Sequence, residues 1–224
     1  MIRAVIFDFD GLIIETERPS YQSWVEVYQS YGQPLPFKTW SAIIGTTRGD
    51  FNPRLELEKL VNEEIDWESV ELRRMAHENA LIEAQPVLPG AADYLRQARD
   101  LGLKIGMASN SSCRWVIGHL TRIGLVGYFD CIRAADDTRQ LKPDPELYLS
   151  VLGGLQVGAG ETIAFEDSPI GIRAAKAAGV YCVAVPNEMT RGLELTQADY
   201  QLTSLADMPL GKLLQQIKTQ RAAF

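Results

Sequence analysis

AVIFDFDG, residues 4–11, sets an apolar run, Ala4 to Phe7, directly against two carboxylates, Asp8 and Asp10. Four consecutive apolar residues read as a buried strand. A buried charge is costly unless it is paired, hydrogen-bonded or bound to metal. A strand that ends in two acids therefore asks what neutralises them. Residues i and i+2 of a strand point to the same side, which puts Asp8 and Asp10 together and sends Phe7 and Phe9 into the core.

From about residue 88 onward, helix and strand patterns alternate. Ala92, Leu95, Ala98 and Leu101 fall on one helical face, closed by Gly102. The run Leu103 to Ala108 reads as a strand. Trp115, Val116, Leu120 and Ile123 mark a helix stopped by Gly124. Phe129 to Ala134, Thr162 to Phe165 and Val180 to Val185 are further strand candidates, and Leu210 to Thr219 reads as a closing helix. Asp144-Pro145-Glu146 and Ser168-Pro169 each place a capping side chain before a proline at the first helical position. Such alternation means an α/β fold, a doubly wound parallel sheet with helices on both faces.

Residues 17–84 show no convincing strand. Tyr21, Trp24, Val25 and Tyr28 fall at helical spacing before Gly32, and Asp66 to Ala84 forms a longer helical stretch. The expected organisation is a catalytic core of residues 1–16 and 85–224, with an all-helical insertion over 17–84. Trp24, Trp40 and Trp67 lie in the insertion and read as its packing core.

The chain has 224 residues and a net charge of −7. An acidic surface argues against nucleic-acid binding, which needs cations to displace counterions, and against an anionic membrane. Arg3 is followed by only four apolar residues before Asp8, short of a signal-peptide core. No stretch approaches the ~18 apolar residues of a membrane span. Cys113, Cys131 and Cys182 form no CxxC pair, so free thiols in a reducing cytoplasm are expected.

Ligands of an open parallel sheet bind at the carboxyl ends of its strands. The strand candidates leave Asp8 and Asp10, then Ser109 and Asn110, then Lys142 beyond the third, then Glu166 and Asp167. Each is unremarkable alone: an Asp pair, a helix cap, a surface lysine, another cap. Together they supply one chemistry. Two unit charges ~4 Å apart cost ~4 kcal/mol at an effective dielectric of about 20. A hard divalent cation relieves that repulsion, and all-oxygen ligands point to Mg²⁺. Lys142 adds a fixed positive charge, and Ser109 and Asn110 can donate to an oxyanion, which makes a phosphoryl cradle. One carboxylate can attack phosphorus, and a second can protonate the leaving oxygen and then deprotonate water.

FDFDGLIIETE (7–17), ASNSS (108–112), KPDP (142–145) and FEDSPIGIRAAKAAG (165–179) together resemble the haloacid dehalogenase superfamily. The closest likeness is to its phosphoglycolate-phosphatase-like and β-phosphoglucomutase-like branch. The resemblance implies a Rossmann-like core with a helical cap domain over residues 17–84. It implies a nucleophile at Asp8 and a general acid/base at Asp10, with Ser109 and Lys142 on the phosphoryl group. Mg²⁺ would bind Asp8, the backbone carbonyl of Asp10 and Asp167, with Glu166 supporting it or coordinating through water. Glu15 departs from the Asp usual at its place.

The expected activity is Mg²⁺-dependent hydrolysis of a small phosphorylated metabolite, by a monomer, through an aspartyl-phosphate. A β-phosphoglucomutase-like sugar-phosphate mutase is the alternative. Arg48, in Gly45-Thr46-Thr47-Arg48, matches a substrate-phosphate contact of those mutases, but Ser20 stands where they carry a histidine. A signalling receiver would place its acceptor after a later strand. A non-catalytic scaffold would normally have lost the nucleophile or the lysine.

Overall fold

The structure is a computed structural model that describes residues 1–41, 44 and 51–222. Its centre is a six-stranded sheet: β1 (Ala4–Phe7), β2 (Lys104–Ala108), β3 (Cys131–Arg133), β4 (Thr162–Glu166), β5 (Tyr181–Ala184) and β6 (Tyr200–Gln201). The order is β3-β2-β1-β4-β5-β6, with every pair parallel. The chain moves outward to one side of β1 and then returns to its other side at β4, so a switch point lies between these two strands.

All four residues of β1 are fully buried because helices cover both faces. Val5 and Phe7 point into one apolar layer with α5 (Ala91–Asp100), α6 (Cys113–Arg122) and α9 (Leu210–Ala222). Ala4 and Ile6 point into the other, with α7 (Glu146–Leu155) and α8 (Pro169–Ala177). Phe7 stacks on Phe165 at 4.9 Å, and Tyr94 closes edge-on against Phe165 at 5.4 Å. Each such side chain contributes about 1.5–3 kcal/mol by leaving water. Phe7 pairs in register with both Met107 and Phe165. This register sets Asp8 level with Glu166, and the Asp8 N–H donates to the Phe165 carbonyl at 3.0 Å.

Residues 17–83 contain α1 (Glu17–Ser30), α2 (Phe37–Ser41), α3 (Pro53–Leu60) and α4 (Trp67–Glu83), with no strand among the described residues. They share an apolar cluster that includes Trp24, Tyr28, Trp40, Leu57 and Val70, against which Trp67 is partly buried. The tryptophans thus pack as expected. Chain entry and exit run side by side: Ile14 bridges to Val87, and the Leu88 N–H donates to the Ile13 carbonyl at 2.8 Å.

Some local expectations change. Leu101 is exposed, and the inner face of α5 is instead Ala91, Tyr94, Leu95 and Ala98. Pro145 caps α7 rather than opening it; Asp144 still accepts from the Glu146 N–H at 2.9 Å. β6 is an added strand, two residues long. The loop 45–48, with Arg48, lies outside the described residues.

Candidate active site

Asp8, Glu166 and Asp167 meet where β1 and β4 end. One carboxylate oxygen of each lies within 4.8 Å of the others, and all three residues are buried. Lys142 is the cation among them, 3% exposed. Its Nζ donates to Asp8 Oδ1 at 2.8 Å and to Glu166 Oε1 at 2.6 Å. The Tyr148 hydroxyl, from α7, donates to the same Glu166 oxygen. Glu166 Oε2 is buried without a partner. It faces Gly171 of α8, where any Cβ would collide with the Glu166 carboxylate.

One ammonium faces three carboxylates. Burial, then Glu166, push the Asp8 pKa up to about 7, against the pull of Lys142. Burial, then Asp8 and Glu166, push Asp167 well above the ordinary carboxylate range. For Lys142 burial works the other way, yet Asp8 and Glu166 outweigh it and hold the ammonium charged. With every group ionised the cluster is two positive charges short. A buried, oxygen-only donor set with that deficit and an orphaned carboxylate oxygen fits a hard divalent cation.

Gly11 has φ +76°, and a Cβ there would collide with Asp167 and Asn187. Asn187 lies just past β5. Its amide donates to the Gly11 carbonyl and to Asp167 Oδ2, both at 2.9 Å, while its oxygen accepts from the N–H groups of Met189 and Thr190. It therefore orients Asp167, as the outer partners of metal-ligating carboxylates do.

Asp10 leaves this group. β1 ends at Phe7, and the chain turns at Gly11, so strand alternation no longer governs its side chain. Its Oδ1 accepts from Thr16 Oγ1 and Trp115 Nε1, both at 3.0 Å. Its Oδ2 accepts from Ser111 Oγ at 2.6 Å and Ser109 Oγ at 3.3 Å. Of the expected metal set, Asp8, Glu166 and Asp167 converge, while the Asp10 carboxylate lies outside the trio.

The expected phosphate ligands also have other partners. Asn110 accepts from the Lys142 N–H at 2.8 Å and donates to the Lys142 carbonyl at 3.2 Å. Both ends of its amide clamp the main chain that presents the lysine. Ser109 is fully buried; its hydroxyl reaches Asp10 and accepts from the Ser111 N–H at 3.0 Å. Glu15 caps α1, accepting from the N–H groups of Glu17 and Arg18. Tyr148, Asn187, Ser111 and Trp115 were not anticipated. Asn187 was findable, since Val185-Pro186-Asn187 is one more strand end; Tyr148 sits inside a helix with no signal.

A doubly wound sheet with Asp8, Lys142 and an acidic pair on its carboxyl rim defines a class, and comparison with known proteins agrees with it. The family model for haloacid dehalogenase-like hydrolases matches residues 5–185. A Bacillus subtilis (strain 168) protein named "Putative phosphatase YhcW" is 43% identical, over 98% of this chain and 100% of its own. The Thermotoga maritima "Phosphorylated carbohydrates phosphatase" is 31% identical, over 88% of this chain and 91% of its own. The crystal structure of a "putative beta-phosphoglucomutase" from Thermotoga maritima superposes with a TM-score of 0.80 at 27% identity, over 96% and 99% of the two chains.

The chain belongs to the haloacid dehalogenase-like hydrolase family. It is a phosphoric monoester hydrolase of that superfamily. Among the described residues, no helix is long and apolar enough to cross a membrane.

Proposed function

We propose that the protein is a Mg²⁺-dependent phosphatase of a small phosphorylated metabolite, acting through an aspartyl-phosphate on Asp8. The observation that carries this is the buried Asp8–Lys142 pair beside Asp167 and Glu166.

A carboxylate oxygen of Asp8 attacks phosphorus, and the bond from phosphorus to the leaving oxygen breaks. Asp10 gives that oxygen its proton. Asp10 then takes a proton from water as the water attacks the same phosphorus, and the bond from phosphorus to the Asp8 oxygen breaks. Inorganic phosphate departs, and both carboxyl groups return to their starting states. Lys142 holds Asp8 in line and offsets charge on the phosphoryl oxygens, while Asn110 fixes the lysine's main chain and Ser109 fixes Asp10. Asp8, the backbone carbonyl of Asp10 and Asp167 would hold Mg²⁺, with Glu166 in support; when bound, the ion offsets carboxylate and phosphoryl charge.

Residues 17–84 serve as a cap that excludes water and selects the substrate. Arg48 is proposed as a substrate contact on that cap. The protein works as a cytoplasmic monomer. The test is ³¹P NMR of protein and Mg²⁺ with a panel of sugar phosphates, phosphoglycolate and nucleotides, with Asp8→Asn as control. Growth of the inorganic phosphate line only with intact Asp8 supports the reading.

Mutase activity is the second reading, favoured by the likeness to a structure named for β-phosphoglucomutase. It predicts interconversion of two phosphoester lines, with a trace of bisphosphate present and no free phosphate. Ser20, in place of the mutase histidine, weighs against it.

A further inference from the structure

The Asp10 carboxylate is held by four side chains, and three of them are hydroxyls: Thr16, Ser109 and Ser111. A hydroxyl rotates and can accept as well as donate. The fourth is the Trp115 indole N–H, which only donates and whose direction is set by a rigid ring. It meets Oδ1 at 3.0 Å.

The ring itself is fixed. Trp115 lies in the first turn of α6, where its backbone N–H donates to the capping Ser112 hydroxyl at 3.3 Å. One turn on, His119 meets the indole edge-on at 4.4 Å, and His119 in turn stacks against Phe9 at 6.3 Å. Phe9 is fully buried in the sheet's apolar layer, next in sequence to Asp10. The indole is thus braced against the same strand end whose carboxylate it holds. α6 belongs to the helices covering the sheet, so this brace is built into the core and not into residues 17–84.

We propose that Trp115 is a positioning residue for Asp10, its indole N–H setting the plane of the carboxyl group that protonates the leaving oxygen. This rests on the role given to Asp10 above. A ring that merely fills space would be replaced by phenylalanine with equal effect on every substrate. A ring that aims a proton donor matters only where the leaving group needs a proton.

The experiment compares kcat/KM for β-glycerol phosphate, whose alkoxide leaves poorly, and for p-nitrophenyl phosphate, whose phenolate leaves without help. Trp115→Phe is expected to cost about tenfold on the first and under about twofold on the second, the size expected of one hydrogen bond to a charged group. Trp115→Gln, which keeps an N–H donor, recovers part of the loss. Equal losses on both substrates, or none on either, overturn the proposal. A wild-type protein that hydrolyses neither ester overturns instead the phosphatase reading beneath it. If Trp115→Phe does not fold, ¹⁵N-tryptophan labelling of the unmutated chain and of Asp10→Asn decides. The chain has four tryptophans, and one indole N–H resonance is expected to move while three stay. Four unmoved resonances overturn the proposal.

Discussion

Asp8 and Asp10 leave one strand two residues apart and end in opposite surroundings. Asp8 is buried against a lysine and two further acids, where charge is the governing quantity. Asp10 is surrounded by three hydroxyls and an indole, donors without formal charge, where direction is the governing quantity. The nucleophile proposed at Asp8 needs its charge offset so that it can approach a phosphoryl anion. The proton carrier proposed at Asp10 needs aim. One residue type serves both because the chain turns at Gly11 and places the two side chains in different environments.

The largest effect should fall on the charged side. Asp8→Asn removes the proposed attacking oxygen, and phosphatase turnover should drop about ten-thousandfold or more, read as loss of the inorganic phosphate line. Read as kcat/KM, which stops at departure of the leaving group, Asp10→Asn should instead discriminate among leaving groups, sparing p-nitrophenyl phosphate relative to alkyl esters, whereas kcat, which includes water attack, should fall on both. If both variants lose kcat/KM for the two substrates in equal measure, the division of roles is wrong.

Lys142→Met strands Asp8 and Glu166 without their shared cation, which should cost about 3–5 kcal/mol of stability for a pair this deeply buried. Urea denaturation measures it, and a midpoint equal to wild type would mean the pair carries no weight. Asn187→Ala should weaken Mg²⁺ by about tenfold with little change in fold, as read by titration calorimetry; unchanged affinity would remove Asn187 from the metal's support.

The smallest effect concerns pH. Asp8 is raised from 3.8 to about 7, and Asp167 is raised as well, so both take up protons on folding in the metal-free protein. Acids with raised folded values lose stability as pH climbs from the unfolded value through the folded one. Mg²⁺ at the proposed site would favour the ionised forms and cancel that loss. The rise in Tm on adding Mg²⁺ should therefore be larger at about pH 8 than at about pH 5. The opposite ordering in a thermal melt would place the cation elsewhere.

Much of this was legible in the chain. β1 is four apolar residues buried on both faces, a pattern that needs no partner to be recognised. Lys142, Glu166 and Asp167 followed from one topological rule about strand ends. What was hidden depends on contacts distant in sequence. Asn110 reads as a phosphate donor until Lys142, 32 residues on, takes both ends of its amide. Trp115 reads as part of an apolar face, and only the fold brings its N–H to Asp10, 105 residues away. β6 pairs through two backbone positions, Tyr200 and Gln201, the latter exposed. Strands that short have no side-chain pattern to read.

The loop after β5 touches two parts of the molecule at once. Asn187 holds Asp167, while Met189, two residues on, is buried in the apolar cluster of the helical segment, and Glu188 pairs with Arg18 at 2.8 Å. The helical segment is therefore not a detachable cassette. Grafting residues 17–84 from a relative would leave Met189 facing a foreign surface, and the mismatch would be felt two residues away at Asn187 and, through its hydrogen bond, at Asp167. On the proposed reading of residues 17–84 as the substrate-selecting cap, a graft that carries residues 186–190 with it should keep Asp167 oriented where a graft of 17–84 alone does not.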